Sequence, residues 1–486
     1  MVFRGRTVLA FVLLAVFATA VLTLTLVDPT MLARPSGNAA GPASSGSLSA
    51  KELAKLSTAY ELIRTKYYTQ IDKDKVLNGA INGMIGALDD PFSSYMDAKE
   101  AKQFDQSVTS SFEGIGAEVA QEDGNIKIVS AIKGTPSEKA GLHAGDVIVS
   151  VNDEKLDGLT LSQAVAKIRG PKGTQAKLGI LRGGAAEPIE IIVVRDEIPV
   201  ETVYAEMLDG KIGKLEIRQF SYSTADRVKE ELGRLEAQGM KGLILDVRND
   251  PGGILPVVVD IIQPFVAKGK PIVQIEDRQG NRKPTLSENP GDTKKYPVAV
   301  LINGGSASAS EILAGAFKEA VPGSKLIGEK TYGKGTVQTT FAEEMGDGSN
   351  LKITIYKWLT PNGNWIHQKG IEPDLKVELP AYFKAAPFSR KATLKADMTG
   401  DDVRSLQLML NGLGLPTDRT DGYFSEKTAT AVKAFQRLQE LPMTGEVDTA
   451  TMDKLEKAIV AQIREPKNDT QLKAAVSYLQ ETIAKK

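Results

Sequence analysis

The sequence predicts a multidomain α/β protein in which an α/β core is interrupted by a β-rich domain, preceded by a helical region and followed by a C-terminal three-helix module. Three observations carry that expectation. With 486 residues, 42% hydrophobic and 25% charged, the chain holds enough apolar material for several cores. Between residues 211 and 390 the apolar runs Gly242-Leu243-Ile244-Leu245-Asp246-Val247 and Val298-Ala299-Val300-Leu301-Ile302-Asn303 alternate with helical patterns, the grammar of an α/β domain. The flanks keep other periods: short strands and turns over 112–195, and a new helical stripe through Val403, Leu406, Leu410 and Leu413.

Composition removes several function classes. Sixty basic against 61 acidic residues give a net charge of -1, which leaves no electrostatic case for a nucleic-acid partner. The absence of cysteine excludes disulfides, thiolate metal sites and cysteine catalysis. With His143 and His367 as the only histidines, a zinc hydrolase and a histidine-based triad are both disfavoured. No glycine pattern has the context of a dinucleotide site and no complete phosphate-binding motif occurs, so neither cofactor nor metal is expected.

At the N-terminus, residues 7–27 form an uncharged run preceded by Arg4 and Arg6, long enough as a helix to cross a bilayer with the arginines on the cytoplasmic side. An uncleaved single-pass signal anchor over 1–28 is preferred to a removed signal peptide, which Ala18-Thr19-Ala20 keeps open as a secreted form. The Ala, Gly, Ser and Pro-rich stretch over 29–50 reads as a flexible linker, which places the catalytic region outside the cell membrane. Residues 51–110 are expected to be helical, with one stripe through Leu53, Leu56, Tyr60, Leu62 and Ile63 and another through Val76, Ile81, Met84 and Leu88, broken at Asp89-Asp90-Pro91. Such a stripe buries against its own domain or a second copy in a homodimer.

Over 111–196, strands are expected at Ile126-Lys127-Ile128-Val129, at Val147-Ile148-Val149-Ser150-Val151 and at Ile189-Glu190-Ile191-Ile192-Val193-Val194. A short helix near Pro136 and a longer one from Leu161 to Ile168 punctuate them. Gly114-Ile115-Gly116-Ala117, Ala140-Gly141-Leu142 and Gly145-Asp146, in this strand-helix order, resemble a PDZ domain. The resemblance implies that backbone amides of the turn Gly114, Ile115, Gly116 and Ala117 hold a peptide's C-terminal carboxylate while a strand edge extends its pairing. Arg169, at the end of the longer helix, has two readings: coupling peptide occupancy to the core, or a solvated helix-capping cation.

Within the core, 197–390, the stretch Asn303-Gly304-Gly305-Ser306-Ala307-Ser308-Ala309-Ser310-Glu311 offers a candidate nucleophile, and Gly333-Lys334-Gly335-Thr336-Val337-Gln338 a candidate base. Small residues let an extended substrate approach Ser308, and glycines on both sides of Lys334 permit a tight turn. A helix over Glu311 to Glu319 sets Ser308 near a positive dipole end. Ser306 and Ser310 compete as helix caps, and Ser308 itself has a reading as a structural hydroxyl.

With Arg248-Asn249-Asp250-Pro251-Gly252-Gly253, these segments resemble the C-terminal processing peptidases, the tail-specific serine proteases of family S41, over roughly residues 55 to 385. The resemblance selects the middle serine and implies Ser308 as nucleophile, Lys334 as general base and Gln338 as the residue that positions it. Burial must then favour the neutral amine. Amides of Ala309 and of Gly252 or Gly253 are candidates for the oxyanion hole.

After the core, Asp421-Gly422-Tyr423-Phe424-Ser425 and Met443-Thr444-Gly445-Glu446-Val447-Asp448 resemble a peptidoglycan-binding domain over 398–460, which implies retention at the wall; 461–486 is expected to be a helical tail, with two readings, added packing or partial mobility. The expected function is therefore a serine endopeptidase that cleaves extracytoplasmic proteins, with C-terminal tail recognition or activation through the PDZ domain. The alternative is a catalytically inactive PDZ-type scaffold retained at the cell wall.

Overall fold

A computed structural model describes residues 47–485 except 123, 184 and 186, so the expected anchor and most of the linker lie outside the described residues. Among the described residues no helix is long and apolar enough to cross a membrane. The chain divides into two units at Ala80/Ile81. In the first, α1 (Ala50–Lys66) begins at a capping box, where Ser49 and Glu52 satisfy each other's amides. Its Leu53, Leu56, Leu62 and Ile63 are exposed within that unit. Helix α2 (Lys73–Gly86) starts there and ends just before the Asp89-Asp90-Pro91 break.

The second unit opens with β1 (Ser94–Met96), α3 (Ala98–Thr109) and β2 (Ser111–Gly114). The helical reading of 51–110 thus misses a strand, because β1 is stabilised by distant pairing that local periodicity does not encode. The β-rich domain follows as β3 (Ala117–Glu122), β4 (Asn125–Ala131), α4 (Pro136–Lys139), β5 (Val147–Val151), β6 (Glu154–Lys155), α5 (Leu161–Ile168), β7 (Gln175–Leu181) and β8 (Ile189–Val194). Its sheet runs β3-β4-β5-β7-β8 around a core of Ile126, Ile128, Ile148, Leu178 and Ile180, closed by Ala164 and Ile168 of α5. Strand β9 (Asp196–Pro199) leaves the domain paired antiparallel with β2, which enters it.

The core continues with β10 (Val203–Leu208), β11 (Ile212–Ile217), α6 (Thr224–Ala237), β12 (Gly242–Asp246), α7 (Leu255–Ile262), β13 (Pro271–Glu276), β14 (Arg282–Leu286), β15 (Val298–Ile302), α8 (Ala309–Ala320), β16 (Lys325–Gly328), β17 (Thr336–Thr340), α9 (Ala342–Met345), β18 (Asn350–Leu359) and β19 (Leu375–Lys376). One sheet has the order β10-β11-β12-β15-β16-β19 and is parallel from β11 onwards. Every residue of β12 and β15 is buried, as continuous apolar runs require when both sheet faces are covered. A second sheet joins β1, β18, β13 and β14, with β17 on β18, so Tyr95 pairs with Leu351 across the inserted domain.

Helices α10 (Asp401–Gly412), α11 (Glu426–Leu438) and α12 (Thr449–Arg464) build a separate core around Leu406, Phe424, Val432 and Leu455. The last helix, α13 (Thr470–Ala484), does not belong to them. Its Leu472, Ala475 and Leu479 pack on Ile244, Ala299, Leu301 and Ile327 of the parallel sheet. The segment expected as a tail is therefore a layer of the core, because its apolar stripe matches a sheet face that would otherwise meet water. Arg248, next to β12, pins the start of this helix through Asp469 at 2.8 Å and Gln471 at 3.0 Å.

A chain ending after Glu465 should expose that sheet face and lose on the order of 5 kcal/mol of unfolding free energy. Denaturant titration of the two chains checks this; superimposable transitions would show that α13 is only an appendage.

Candidate active site

Strands β12 and β15 are parallel neighbours, so their C-terminal ends deliver two loops to one place, the usual binding crevice of such sheets. The loops are laced together. Ser306 Oγ donates to Val247 O (2.7 Å), Asn249 N to Asn303 Oδ1 (2.9 Å) and Asn303 Nδ2 back to Asn249 Oδ1 (2.9 Å). Ala307 N and Ser310 Oγ both donate to Asp250 O, at 3.0 and 2.9 Å. The outer serines of the triplet thus fasten the loops, rather than capping the helix.

Ser308 has φ 54° and ψ -112°, outside the wells a serine ordinarily adopts. Such a backbone costs about 1–3 kcal/mol and persists only where its surroundings enforce it. Gly252 lies directly against it: at φ +101°, a Cβ there would stand 2.8 Å from both Ser308 Cβ and Ala309 N. Gly253 is equally constrained, since a Cβ would sit 2.1 Å from Phe220 O. The Gly252 amide donates to Asp250 Oδ1 at 2.8 Å. Asp250 is itself buried with Oδ2 unpartnered, and burial pushes its carboxyl up to about 8.

Lys334 reaches the same region through Glu311, a fully buried residue in the first turn of α8. One carboxylate oxygen accepts from Thr331 Oγ1 (2.6 Å) and Gly333 N (2.7 Å). The other accepts from Ser308 N (2.9 Å) and Lys334 N (2.8 Å). Trp358 Nε1 donates to Lys334 O at 2.7 Å, and Gly335 N donates to His367 Nδ1 at 3.3 Å. Burial pulls the Lys334 amine down to about 8; Lys352 assists, while Asp90 and Glu311 oppose.

No hydrogen bond joins Lys334 Nζ to Ser308 Oγ or to Gln338 among the described residues. Nζ instead lies 5.1 Å from the ring centre of Phe92. Gln338 Nε2 donates to Thr354 Oγ1 (2.8 Å) and Thr336 Oγ1 (3.0 Å). The register shift between Val337 and Gln338 skips Ile355 of β18, so Gln338 pairs with Thr354, the residue whose hydroxyl it meets.

In the inserted domain, Gly116 adopts φ +78°, where a Cβ would meet Thr135 at 2.4 Å, so glycine is required there. Its carbonyl accepts from Ile132 N at 2.9 Å, Ile115 is buried, Gly114 ends β2 and Ala117 begins β3, an edge of its sheet. Arg169 stacks on Phe112 of β2, its guanidinium carbon 4.6 Å from the ring centre.

Sequence reasoning missed Glu311 and Phe92 as parts of this site. An acid at the head of the apolar run Ile312-Leu313-Ala314-Gly315-Ala316-Phe317 was a readable signal of a buried acceptor; nothing local marked Phe92. Glu311→Gln would set amide hydrogens against donors and should lower unfolding free energy by about 3 kcal/mol. Chemical denaturation measures this, and an unchanged midpoint would mean that the four contacts are not holding the loops.

Among the described residues no group of three or more metal-ligating side chains occurs. Comparison with known proteins matches residues 211–377 to peptidase family S41, 127–182 to a PDZ domain, 399–455 to a peptidoglycan binding domain and 26–100 to the N-terminal domain of the activating protease CtpB. The chain is 47% identical over 435 residues to the carboxy-terminal processing protease CtpB of Bacillus subtilis, covering 88% of this chain and 89% of that protein. It is 45% identical over 427 residues to CtpA of the same organism, covering 87% and 90%. The chain belongs to the carboxy-terminal processing proteases, the serine proteases of peptidase family S41.

Proposed function

We propose that this protease is an endopeptidase acting on extracytoplasmic proteins, with Ser308 as nucleophile, Lys334 as general base and Gln338 as the residue that orients the base. The observation that carries the reading is that the backbone amides of a strained Ser308 and of the half-buried Lys334 share the carboxylate of Glu311, with Gly252 packed directly against Ser308. Neutral Lys334 takes the Ser308 proton as Oγ attacks a peptide carbonyl, then returns it to the leaving amine. For this, Nζ must leave Phe92 and approach Oγ, a tightening that catalytic contacts often undergo when substrate binds. Ala309 N and Gly253 N are the favoured oxyanion donors, because Gly252 N is engaged by Asp250.

The PDZ domain would receive a substrate's C-terminus at Gly114, Ile115, Gly116 and Ala117, extending β3 by one strand. Arg169, against Phe112 at the neck formed by β2 and β9, is suited to transmit occupancy to the core. The N-terminal run gives the reading of membrane attachment, and the exposed stripe of α1 that of a second copy as partner. The scaffold alternative is not favoured, since the chain's relatives are named proteases.

Ser308→Ala and Lys334→Ala should each lower internal cleavage of unfolded proteins with apolar C-termini by about a thousandfold or more. Fragment mass spectrometry reads this out, and normal turnover in either variant would remove the assigned chemistry. Because the base works when neutral and burial pulls its amine down to about 8, kcat/KM should rise with pH through that value. Gln338→Glu should move the rising limb to higher pH, as added negative charge favours the ammonium.

Removing 398–460 while keeping α13 should reduce retention on isolated peptidoglycan and leave cleavage of a soluble peptide largely intact. Equal retention of the two forms in a sacculus pull-down would argue against a localising role for the module.

A further inference from the structure

The loop between α2 and β1 delivers Phe92 to the catalytic lysine, although it lies far from both catalytic loops in sequence. Lys334 Nζ stands 5.1 Å from the Phe92 ring centre, within the range of a cation–π contact. Phe92 is itself fixed. Its amide donates to Asp90 Oδ1 (3.1 Å), and Ser93 ties the loop to β18 by accepting from Thr354 N (3.0 Å). The His367 ring meets Phe92 edge-on at 6.2 Å and stacks on Trp365 at 5.2 Å. These rings form one wall of a cavity of about 710 Å³ that also includes Tyr332, Thr336 and Thr354.

We propose that Phe92 is a positioning residue for Lys334: its ring face holds the ammonium form away from Ser308, so that the lysine becomes a base only as proton and ring contact are lost together. The proposal rests on Lys334 being the base. The physical reason is the ring quadrupole, which attracts a cation and offers little to a neutral amine. The contact therefore favours the inactive protonation state and the inactive place at once.

Other charges around the amine are distinct from the ring. Lys352 on β18 disfavours the ammonium, whereas Asp90 on the same loop and Glu311 on α8 favour it. His367 faces the ring, and Glu276, Asp277, Arg278 and Lys357 line the adjoining cavity. None of these charges is changed when Phe92 is replaced by another apolar residue; a smaller side chain that let water reach the amine would raise its proton affinity, opposite to the shift expected from loss of the ring.

The experiment measures kcat and kcat/KM for an unfolded protein substrate from pH 6 to 10 with the full chain. Rates are normalised to sites labelled by a serine-directed phosphonate, so loss of folded protein does not enter. Phe92→Leu and Phe92→Met, two replacements without a π face, should shift the rising limb to lower pH and raise kcat/KM at pH 7 by about two- to fivefold. Phe92→Tyr, which keeps the ring face, should leave the limb in place. A limb unmoved in both apolar variants, or moved equally in Phe92→Tyr, would overturn the proposal. Lys334→Ala separates the two readings: retained turnover strikes the base assignment, whereas loss of turnover with an unmoved limb in the Phe92 variants strikes only the proposed role of the ring.

Discussion

The buried carboxylate of Glu311 is the constraint on which the site depends. Four donors from two loops converge on it: Ser308 N from the turn before α8, and Thr331 Oγ1 with the amides of Gly333 and Lys334 from the lysine loop. A carboxylate removed from water must find such partners, and here they are the backbone of the serine and lysine loops themselves. Its desolvation is thus offset only when both loops are in place. That makes the geometry of the proposed nucleophile and base a folding requirement rather than a chance meeting of loops.

Around this point the core closes from segments remote in sequence. Strand β1 joins β18 from before the inserted domain, and α13 covers β12, β15 and β16 from beyond the C-terminal module. The two added domains therefore behave as insertions into one structure. Arg248 expresses the consequence, since it bonds Asp246 at the strand end, Asp469 and Gln471 at the start of the last helix, and leads directly into the loop that carries Gly252. Its guanidinium is held above the ordinary arginine range by the two carboxylates despite burial.

Much of this was legible because strong periods have one solution. The apolar runs over 242–246 and 298–302 became the central strands, and the apolar face from Leu161 to Ile168 became a helix. The candidate loops were legible for another reason: glycines where a Cβ has no room, as at Gly252 and Gly116, leave a visible mark in the sequence. What stayed hidden depends on distant partners. Strand β1 has only three residues and draws its stability from β18, while Phe92 is an ordinary apolar residue until folding sets it against Lys334. The spacing of Lys334 and Gln338 suggested contact, but Gln338 lies opposite Thr354 on β18 and its amide bonds that hydroxyl.

A lysine base poses an electrostatic problem that a histidine does not. Burial must lower its proton affinity by several kcal/mol, yet the same burial strengthens every nearby charge. In this site the carboxylates of Glu311 and Asp90 pull towards the ammonium, while Lys352 and desolvation pull away, and the balance falls at about 8. Glu311 is needed for its grip on the backbone and cannot be dispensed with to ease titration. The compromise is that its carboxylate is saturated by amides and a hydroxyl, which draw on the oxygens otherwise free to attract the amine. The rigid site and the lowered proton affinity that the proposed base requires therefore come from one arrangement: the hydrogen bonds that order the loops also moderate the anion beside Lys334.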